Sequence, residues 1–401
     1  MHYLLKIRTF VTLLISWILF PLSFLFPRSK KIWVFIGWQK NKDREIFADN
    51  SKYLFLHTSQ HYPEIESIWI GQDQMMCNNL KKNGYKAYSI HSLAGVYYSL
   101  RAGYTIIDAV MRLPNWRYSG RSKTIQLWHA DGIKKLAFTS KWTYSSFIKM
   151  ILHPGSFKHF YFLIASSEYI RDNFVCPSFD VKKTKVRTTG LPRYDIFFNS
   201  VKDANIDVHT ELSETLDHIN QEKSEKIILY APTFRRGKDL VEQLSPLNFK
   251  ELNYFLNKKN YHLVVSLHPK FSTSNWIPEE QYSNIFFSNS GFDKYPLLSR
   301  FDLLISDYSS ICIEFLLLNK PTIFYTYDIA EYRKNEGLAE KFWNHMPGSR
   351  VSTYQELVIA LEADTKILMA GTSIVREEIF QYRDGNSSER VTQEIRKDMD
   401  S

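Results

Sequence analysis

The sequence predicts an α/β protein with two domains, each built on a doubly wound parallel sheet. The chain has 401 residues, which exceeds the usual size of a single hydrophobic core and favours two domains. From residue 31 onward, apolar runs of strand length alternate with amphipathic segments at helical spacing, which is typical of parallel sheets covered by helices. The composition, 44% hydrophobic and 23% charged residues, is that of a folded globular protein.

The formal net charge of +9 indicates an anionic partner. Nucleic acid, an anionic membrane surface and a phosphate-rich substrate all fit this charge. No nucleic-acid-binding module is recognisable, so nucleic acid is not expected as a partner. The three cysteines, Cys77, Cys176 and Cys312, are far apart in the sequence. They predict no structural zinc site and indicate a reducing compartment.

Residues 1 to 30 are the most membrane-like part of the chain. The segment from 10 to 26 is apolar apart from one threonine and two serines, and lysines and arginines flank it on both sides. Its 17 residues are at the lower limit for crossing a bilayer, and Pro21 weakens the helix. A secretory signal is the rival interpretation, but no small-residue cleavage site follows. We expect a membrane-associating helix that lies on an anionic leaflet, and hence a peripheral protein.

The first domain is predicted to span residues 31 to 200. Its predicted strands are 32–37, 67–71, 103–109 and 160–166, and its predicted helices are 47–61, 93–101 and 168–174. The polar segment 201–225 lacks Gly and Pro, and it is the best candidate for a linker and helix between the domains. The second domain is predicted to span 201 to 401.

Two polar segments of the first domain are candidates for a site. Trp128 and His129 follow an apolar strand, from which a side chain can project into a ligand crevice. A histidine bonded within the fold is the commoner case, but the strand-end position and the following Lys134 and Lys135 favour a functional role. Arg193 lies in a Gly/Pro turn, where a structural role and a phosphate contact are equally good interpretations.

Two strands of the second domain end in polar residues. The strand 226–230 leads to Thr233 and Arg235, where a guanidinium group could face an anion, although solvated surface arginines are common. The strand 261–267 leads to His268, which repeats the pattern of an apolar strand followed by a histidine. A structural histidine is the alternative there.

The most informative stretch runs from 302 to 328, and it reads as a strand, a tight turn, an apolar helix and a strand. Asp307, Ser309 and Ser310 occupy the turn at the predicted start of the helix, where backbone N–H groups attract an anion. Helix capping alone explains these residue types about as well. Glu314 lies one turn further on in an otherwise apolar helix and needs a donor partner, which a ribose hydroxyl would supply.

These segments resemble the CDP-glycerol glycerophosphotransferase family of teichoic-acid and capsule synthesis. The resemblance covers most of the chain after about residue 100. It rests on the Asp-Tyr-Ser-Ser turn followed by an acidic residue, on Lys-Pro-Thr-Ile-Phe-Tyr, on Tyr-Ala-Pro-Thr-x-Arg, on Gly-x-Pro-Arg-x-Asp, on a His-Pro pair, on a terminal Gly-x-x-Ser-Glu-Arg, and on Trp-His followed by Lys-Lys. Where the family has Gly-Thr-Pro after that histidine, this chain has Ala130-Asp131-Gly132.

The resemblance implies two Rossmann-like domains that face a cleft, the GT-B type of fold, with terminal helices that can return to the first domain. It implies His129 as catalytic base and His268 as a group that binds and stabilises the diphosphate. Further substrate-binding residues are then expected, namely Trp128, Asp131, Lys134, Lys135, Arg193, Thr233, Arg235, Asp307, Ser309, Ser310 and Glu314.

The implied reaction transfers glycerol phosphate from CDP-glycerol, or a related CDP-alditol, to a hydroxyl of a lipid-linked or polymer acceptor and releases CMP. The implied location is the cytoplasmic face of the bacterial cell membrane. No cofactor or metal is expected, because no paired-carboxylate motif follows a strand. The alternatives are a CDP-ribitol transferase, a glycosyltransferase of the same fold that uses a nucleotide sugar, and a non-enzymatic membrane adaptor.

Overall fold

The chain forms two compact units, each with its own parallel sheet. The computed structural model describes residues 2–37, 45–109, 115–129, 132, 160–233, 235, 242, 244–266, 282–288 and 291–400. The first unit consists of the described residues up to 129, those from 160 to 207, and those from 384 onward. The second unit consists of Gly132 and the described residues from 208 to 383.

The first unit is built on a seven-stranded sheet with the order β3-β2-β1-β4-β5-β6-β7. All neighbouring strands in it are parallel. The strands are β1 Ser29–Ile36, β2 Glu66–Gly71, β3 Ala87–Ser89, β4 Ala102–Ile107, β5 Lys123–Gln126, β6 Phe162–Ala165 and β7 Val186–Thr188. Strands β2 and β4 are buried on both faces, as expected for parallel strands covered by helices.

The helices of the first unit follow local signals that are readable in the sequence. They are α1 His2–Leu22, α2 Asp49–His61, α3 Gln74–Lys82, α4 Leu93–Arg101, α5 Glu168–Ile170 and α6 Cys176–Phe179, with a π-helical turn Arg171–Val175 between the last two and short 3-10 helices at Ser23–Leu25, Asn115–Tyr118, Lys183–Lys185 and Pro192–Phe197. Asp73 and Ser92 cap α3 and α4 by accepting hydrogen bonds from first-turn N–H groups. Helix α4 matches its predicted bounds, and α2 begins two residues later than predicted.

The second unit is built on a six-stranded parallel sheet with the order β10-β9-β8-β11-β12-β13. Its strands are β8 Lys226–Ala231, β9 Tyr261–Ser266, β10 Ile285–Ser288, β11 Leu303–Ser306, β12 Thr322–Tyr325 and β13 Ser349–Val351. The α/β class with two parallel sheets is therefore confirmed. In each sheet, the first three strands in the sequence run in order from the centre to one edge. The remaining strands run from the centre to the other edge, as in doubly wound folds.

Helices of the second unit pack around this sheet. They are α7 Thr210–Gln221, α8 Phe249–Lys259, α9 Ile311–Leu317, α10 Ile329–Asn335, α11 Glu340–His345, α12 Tyr354–Glu362, α13 Thr365–Leu368 and α14 Thr372–Ile379, with a 3-10 helix at Tyr295–Arg300. The sequence predicts helices over 353–362 and 374–382 in this unit. Helix α12 begins one residue after its predicted start, with a full capping box between Thr353 and Glu356. Helix α14 begins two residues before its predicted start and ends three residues before its predicted end.

The last helix, α15 Ser387–Met399, packs within the first unit. The sequence predicts Ser387 or Ser388 as its N-cap, but Asn386 holds that position and the carboxylate of Asp195 accepts the N–H groups of both serines at 2.8 Å. A residue 192 positions earlier thus caps the helix. Near its end, Asp398 accepts hydrogen bonds from Tyr104, Tyr161 and Lys123.

Helix α1 is attached to the first unit by one side. Leu13 belongs to a core cluster with Trp116, and the ring of Phe20 lies 5.4 Å from the ring of Trp116. Between residues 11 and 26, several large apolar side chains on the other sides of the helix and in the following turn are exposed, including Leu14, Ile18 and Leu25. Of the helices in the described part of the chain, none combines the length and the apolar character that crossing a bilayer needs.

Candidate functional site

Both sheets place polar residues at the carboxyl ends of their central strands. In the first sheet β1 and β4 are neighbours, and Asp49 and Asp108 follow them. In the second sheet β8 and β11 are neighbours, and Thr233 and Asp307 follow them. In doubly wound sheets this reversal point is where ligands bind.

His129, three residues beyond the end of β5, has a defined ring orientation. Its Nδ1 lies 2.8 Å from the backbone oxygen of Asp108. A carbonyl oxygen only accepts hydrogen bonds, so Nδ1 carries the proton and, in the neutral ring, Nε2 is the basic nitrogen. The ring is half-buried, and the indole of Trp128 lies against it with the ring centroids 4.3 Å apart.

Arg193 lies in the interior of the first unit rather than facing a phosphate at the surface. Its side chain is 1% exposed. Nη1 donates to Asp49 Oδ1 at 2.6 Å and to the backbone oxygen of His129 at 2.8 Å. Of the two interpretations that the sequence left open, this geometry supports the structural one, because the guanidinium joins α2 to the segment that carries His129.

Asp108 and Asn50 are functional candidates that the sequence interpretation missed. The Asp108 carboxylate accepts the N–H of Ser51 at 2.9 Å. Burial, together with the neighbouring Asp49 carboxylate, raises the pKa of Asp108, and the hydrogen bonds from Ser51 and the charge of Arg193 oppose that rise. Asn50 Nδ2 donates to the backbone oxygen of Trp128 at 2.7 Å. The only sequence signal of Asp108 was its position at the end of an apolar strand, and Asn50, in the first turn of α2, had no such signal.

In the second unit, Arg235 joins the ends of three neighbouring strands. It forms a buried ion pair with Asp307 and a two-pronged one with Asp328, with Nε–Oδ2 and Nη2–Oδ1 distances of 2.8 and 3.0 Å. Asp307 also accepts the N–H of Thr233 at 2.9 Å and its hydroxyl at 2.6 Å. The sequence suggested an arginine facing a ligand anion, whereas this guanidinium is bound to two carboxylates of the protein.

Aromatic rings enclose this ion-pair network. The rings of Tyr308 and Tyr332 stack with centroids 3.8 Å apart. The Arg235 guanidinium lies 5.3 to 5.6 Å from the ring centroids of Tyr308, Tyr327 and Tyr332, which is within cation–π range. Exclusion of water by these rings strengthens the charge interactions around Asp307 and fixes the turn that follows it.

Two residues of the turn beyond Tyr308 differ from Asp307 in having available hydroxyls. Ser309 and Ser310 are half-buried, and Ser310 immediately precedes α9 without its side chain capping the helix. Within the described residues, neither hydroxyl has a hydrogen-bond partner. The alternative interpretation, that these serines serve only as helix caps, is therefore not supported by the geometry.

Glu314 is buried in α9, as its position in an apolar helix predicts. Lys294 is a neighbouring cation that the sequence interpretation missed. Burial lowers the pKa of Lys294, and the carboxylates of Glu314 and Asp293 oppose that change. Nothing in the sequence near Lys294 signals this proximity, because 20 positions separate the two residues. The predicted site residues Asp131, Lys134, Lys135 and His268 lie outside the described residues.

A family sequence model for "CDP-Glycerol:Poly(glycerophosphate) glycerophosphotransferase" matches residues 18–397. The teichoic acid glycerol-phosphate primase of Bacillus subtilis (strain 168) is 30% identical over 310 residues, which cover 75% of each chain. The teichoic acid ribitol-phosphate primase of Bacillus spizizenii (strain ATCC 23059 / NRRL B-14472 / W23) is 27% identical over 316 residues, or 77% of this chain and 78% of the relative.

Among solved structures, the fold is similar to that of the wall teichoic acid polymerase TagF, studied in a crystal soaked with CDPG. The TM-score is 0.72 at 21% identity, and the match covers 93% of this chain and 90% of the other. At this identity the match supports the fold alone, whereas the family sequence model spans nearly the whole chain. The protein therefore belongs to the CDP-glycerol:poly(glycerophosphate) glycerophosphotransferase family.

Proposed function

We propose that the protein transfers glycerol phosphate from CDP-glycerol to a hydroxyl of a lipid- or glycan-linked acceptor, with release of CMP, in teichoic-acid-like or capsule polymer synthesis. The observation that carries this proposal is the His129 ring, whose Nδ1–H is bound to the Asp108 carbonyl so that Nε2 is the basic nitrogen. A strand-end imidazole of this form is suited to general-base catalysis. Membership of the family supports the choice of donor.

In the proposed step, an acceptor hydroxyl attacks the phosphorus that bears the glycerol. A bond forms between the acceptor oxygen and that phosphorus, and the bond from the phosphorus to the bridging oxygen of CMP breaks. His129 Nε2 takes the proton of the hydroxyl and later passes it to solvent. Transfer of this kind depends mainly on in-line positioning and on stabilisation of the phosphoryl oxygens.

We assign donor binding to the second unit. The hydroxyls of Ser309 and Ser310 would donate hydrogen bonds to the diphosphate, and Glu314 would accept one from a ribose hydroxyl. Thr233, Asp307 and Arg235 would act through the shape of the turn, because their polar groups bond to one another. His268 is proposed as a further diphosphate ligand. Trp128, Asp131, Lys134 and Lys135 are proposed as substrate contacts on the side of the general base.

The proposed reaction uses no metal ion or cofactor. The charge of the diphosphate would be offset by hydroxyl and backbone N–H donors and by the cationic side chains of Lys134 and Lys135. We expect CMP release to continue in excess EDTA. Loss of activity in EDTA that returns on addition of magnesium would contradict this part of the proposal.

A donor screen tests the proposed function directly. Purified protein would be incubated with an acceptor and, in turn, with CDP-glycerol, CDP-ribitol and common nucleotide sugars, and released CMP, UMP and UDP would be measured. We expect CMP from CDP-glycerol. CMP from CDP-ribitol alone would favour a ribitol-phosphate transferase, a candidate that the similarity to the ribitol-phosphate primase supports. UMP or UDP alone would indicate a glycosyltransferase, and no release from any donor would favour an adaptor.

We also propose that the first unit binds an anionic membrane surface at the cytoplasmic face of the cell membrane. Helix α1 and the turn after it expose Ile18 at 63% and Leu25 at 76%. The pKa of Arg28 is lowered to about 10, mainly because the guanidinium is buried and in addition because the positive charges of Arg121 and Arg101 lie near it. Among the described residues, neither Arg101 nor Arg121 forms an ion pair. Apolar side chains beside unneutralised arginines suit an anionic leaflet.

Arg28 is one of the basic residues that flank the apolar segment, but its guanidinium donates to the backbone oxygens of Ser23, Ser99 and Tyr118 within the unit. It is therefore not offered to the membrane surface. We expect Ile18→Asp combined with Leu25→Asp to abolish sedimentation with vesicles that contain anionic lipid. Leu93→Asp, at a leucine on α4 that is 92% exposed, is the matched control. Equal sedimentation of both proteins would contradict the proposal.

A further inference from the structure

The peptide that carries His129 has an unusual backbone conformation. Trp128 has φ of +55°, in the left-handed region that a bulky residue rarely adopts. Such a conformation persists only when the surrounding structure holds it, and it is often found at functional sites. The question is therefore which groups hold the Trp128–His129 segment in place.

Three side chains hold the segment through its backbone. Asn50 Nδ2 donates to the Trp128 oxygen at 2.7 Å, and Arg193 Nη1 donates to the His129 oxygen at 2.8 Å. Gln126 Oε1 accepts the Trp128 N–H at 2.9 Å. The two peptide oxygens and the N–H are thus all bound to side chains of the first unit.

Asn50 and Arg193 are themselves fixed to each other and to Asp49. The Arg193 N–H donates to Asn50 Oδ1 at 3.1 Å, and Arg193 Nη1 donates to Asp49 Oδ1 at 2.6 Å. Asn50 is 0% exposed and Arg193 is 1% exposed. Three buried polar residues therefore form one rigid bridge from the start of α2 to the His129 segment.

We propose that Asp49, Asn50 and Arg193 are positioning residues that hold His129 in the tautomer needed for proton transfer. Because they fix the Trp128–His129 backbone, the ring stays where Nδ1–H reaches the Asp108 oxygen, and Nε2 remains the basic nitrogen. The inference deepens the proposed function and rests on it for the role of His129. These residues act through His129, and they have no contact with a substrate in this scheme.

The chemistry of the ring explains why this bridge matters. An imidazole with no fixed partner samples both neutral tautomers, and only one of them has its basic nitrogen at Nε2. If the backbone relaxes from the left-handed conformation, the distance from Nδ1 to the Asp108 oxygen is no longer fixed. A displacement of about 1 Å in a catalytic group can cost about 10²-fold in rate.

Asn50→Ala and Asn50→Asp in the full chain test the inference. Asn50→Asp keeps an oxygen acceptor for the Arg193 N–H but removes the donor to the Trp128 oxygen. Asn83→Ala is the control, since Asn83 is an exposed asparagine of the same unit whose side chain, among the described residues, bonds only to Asn79. The readouts are the ¹⁵N shifts of the His129 ring, assigned by comparison with His129→Ala, and kcat and KM for the donor.

We expect both Asn50 variants to show a mixture of His129 tautomers and about a 10²-fold lower kcat, with KM for the donor changed less than about threefold. The control should match the wild type. Unchanged tautomer signals in either folded Asn50 variant would overturn the inference, even if kcat fell, because the role would then be structural alone. If Asn50→Ala fails to fold, Asn50→Asp carries the test.

The ring signals separate failure of the inference from failure of the proposed function. Wild-type activity of His129→Ala would show that His129 is not the catalytic base. The tautomer signals of the Asn50 variants would still decide whether Asn50 positions the His129 ring. Reduced activity of His129→Ala with wild-type behaviour of both Asn50 variants would keep the base and overturn the positioning role.

Discussion

The carboxyl edges of the two sheets use buried charge in different ways. In the first unit, Arg193 and Asp49 hold the backbone on which His129 is carried. In the second unit, Arg235 and Asp307 hold a turn whose next hydroxyls, on Ser309 and Ser310, have no partner among the described residues. In the proposed mechanism, the first edge orients the group that takes a proton, and the second keeps hydroxyl donors available to the substrate.

The sharpest test of this comparison is His129→Ala. We expect CMP release to fall by roughly 10² to 10⁴-fold, because the general base is removed, while the affinity for CDP-glycerol stays nearly unchanged. Turnover assays and calorimetric titration measure the two quantities. His61→Ala, at an exposed histidine of α2, should behave like the wild type. Equal loss of binding and turnover in His129→Ala would break the division between the units.

Arg235→Met tests whether the turn of the second unit depends on its buried ion pairs. Removing one partner of a buried pair leaves uncompensated carboxylates, so we expect the free energy of unfolding to fall by about 3–5 kcal/mol. Urea denaturation followed by fluorescence measures this change. Arg333→Met removes the exposed pair with Glu340 and should cost about 0–1 kcal/mol. Similar losses in both variants would show that burial of the Arg235 network contributes little.

Glu45→Gln sharpens the comparison by testing a buried carboxyl of the first unit that belongs to neither network. Its Oε2 accepts the N–H groups of Gln72 and Asp73 at 2.7 and 3.2 Å, and burial raises its pKa to about 7. The folded state thus holds a proton that the unfolded chain releases near its ordinary pKa of 4.5. The stability due to this group is fully present below pH 4.5 and is lost as pH rises through about 7.

We therefore expect Glu45→Gln to be more stable than the wild type at pH 8 by up to about 3 kcal/mol, and similar to it at pH 4.5. Thermal denaturation across this pH range measures the difference. The same substitution at Glu168, which is 70% exposed, should leave the pH profile of the wild type unchanged. A Glu45→Gln profile parallel to that of the wild type would show that the carboxyl does not titrate in this range.

Ser309→Ala and Ser310→Ala should show the smallest effects, and they probe binding alone. Each lost hydrogen bond to a charged diphosphate corresponds to about 1.5–3 kcal/mol, or roughly 10 to 10²-fold in Kd for CDP-glycerol. Stability should be unchanged, since the hydroxyls have no partner to lose within the described residues. Ser299→Ala, at an exposed serine of the same unit, is the control. A loss of stability without a loss of affinity would reverse the interpretation of this turn.

The fold was largely predictable because its signals are local. Apolar runs and cap residues predicted the strands and helices around the site, and α4 matches its predicted bounds. Strand β4 ends at Ile107, whereas the prediction ran to 109. At Asp108 the backbone oxygen accepts from the His129 ring instead of from a neighbouring strand, and the carboxylate accepts the N–H of Ser51. These contacts between distant residues have no signature in the β4 sequence.

The roles of the two arginines show where sequence reasoning ends. Arg193 and Arg235 both looked suited to a phosphate, since each follows a strand or turn with Pro and polar residues. Their partners lie far away in the sequence, with Asp49 144 positions from Arg193 and Asp307 72 positions from Arg235. A single sequence does not reveal such pairings, so a charge bound within the protein and a charge offered to a ligand look alike.

The position of α15 has a consequence for how the protein is made. Asp195 caps this helix and Asp398 bonds to two tyrosines and a lysine of the first unit, so its residues are needed to complete that unit. They are translated only after all of the second unit. During synthesis on the ribosome, the first unit therefore remains incomplete, with its surface for α15 uncovered, until the second unit has been synthesised.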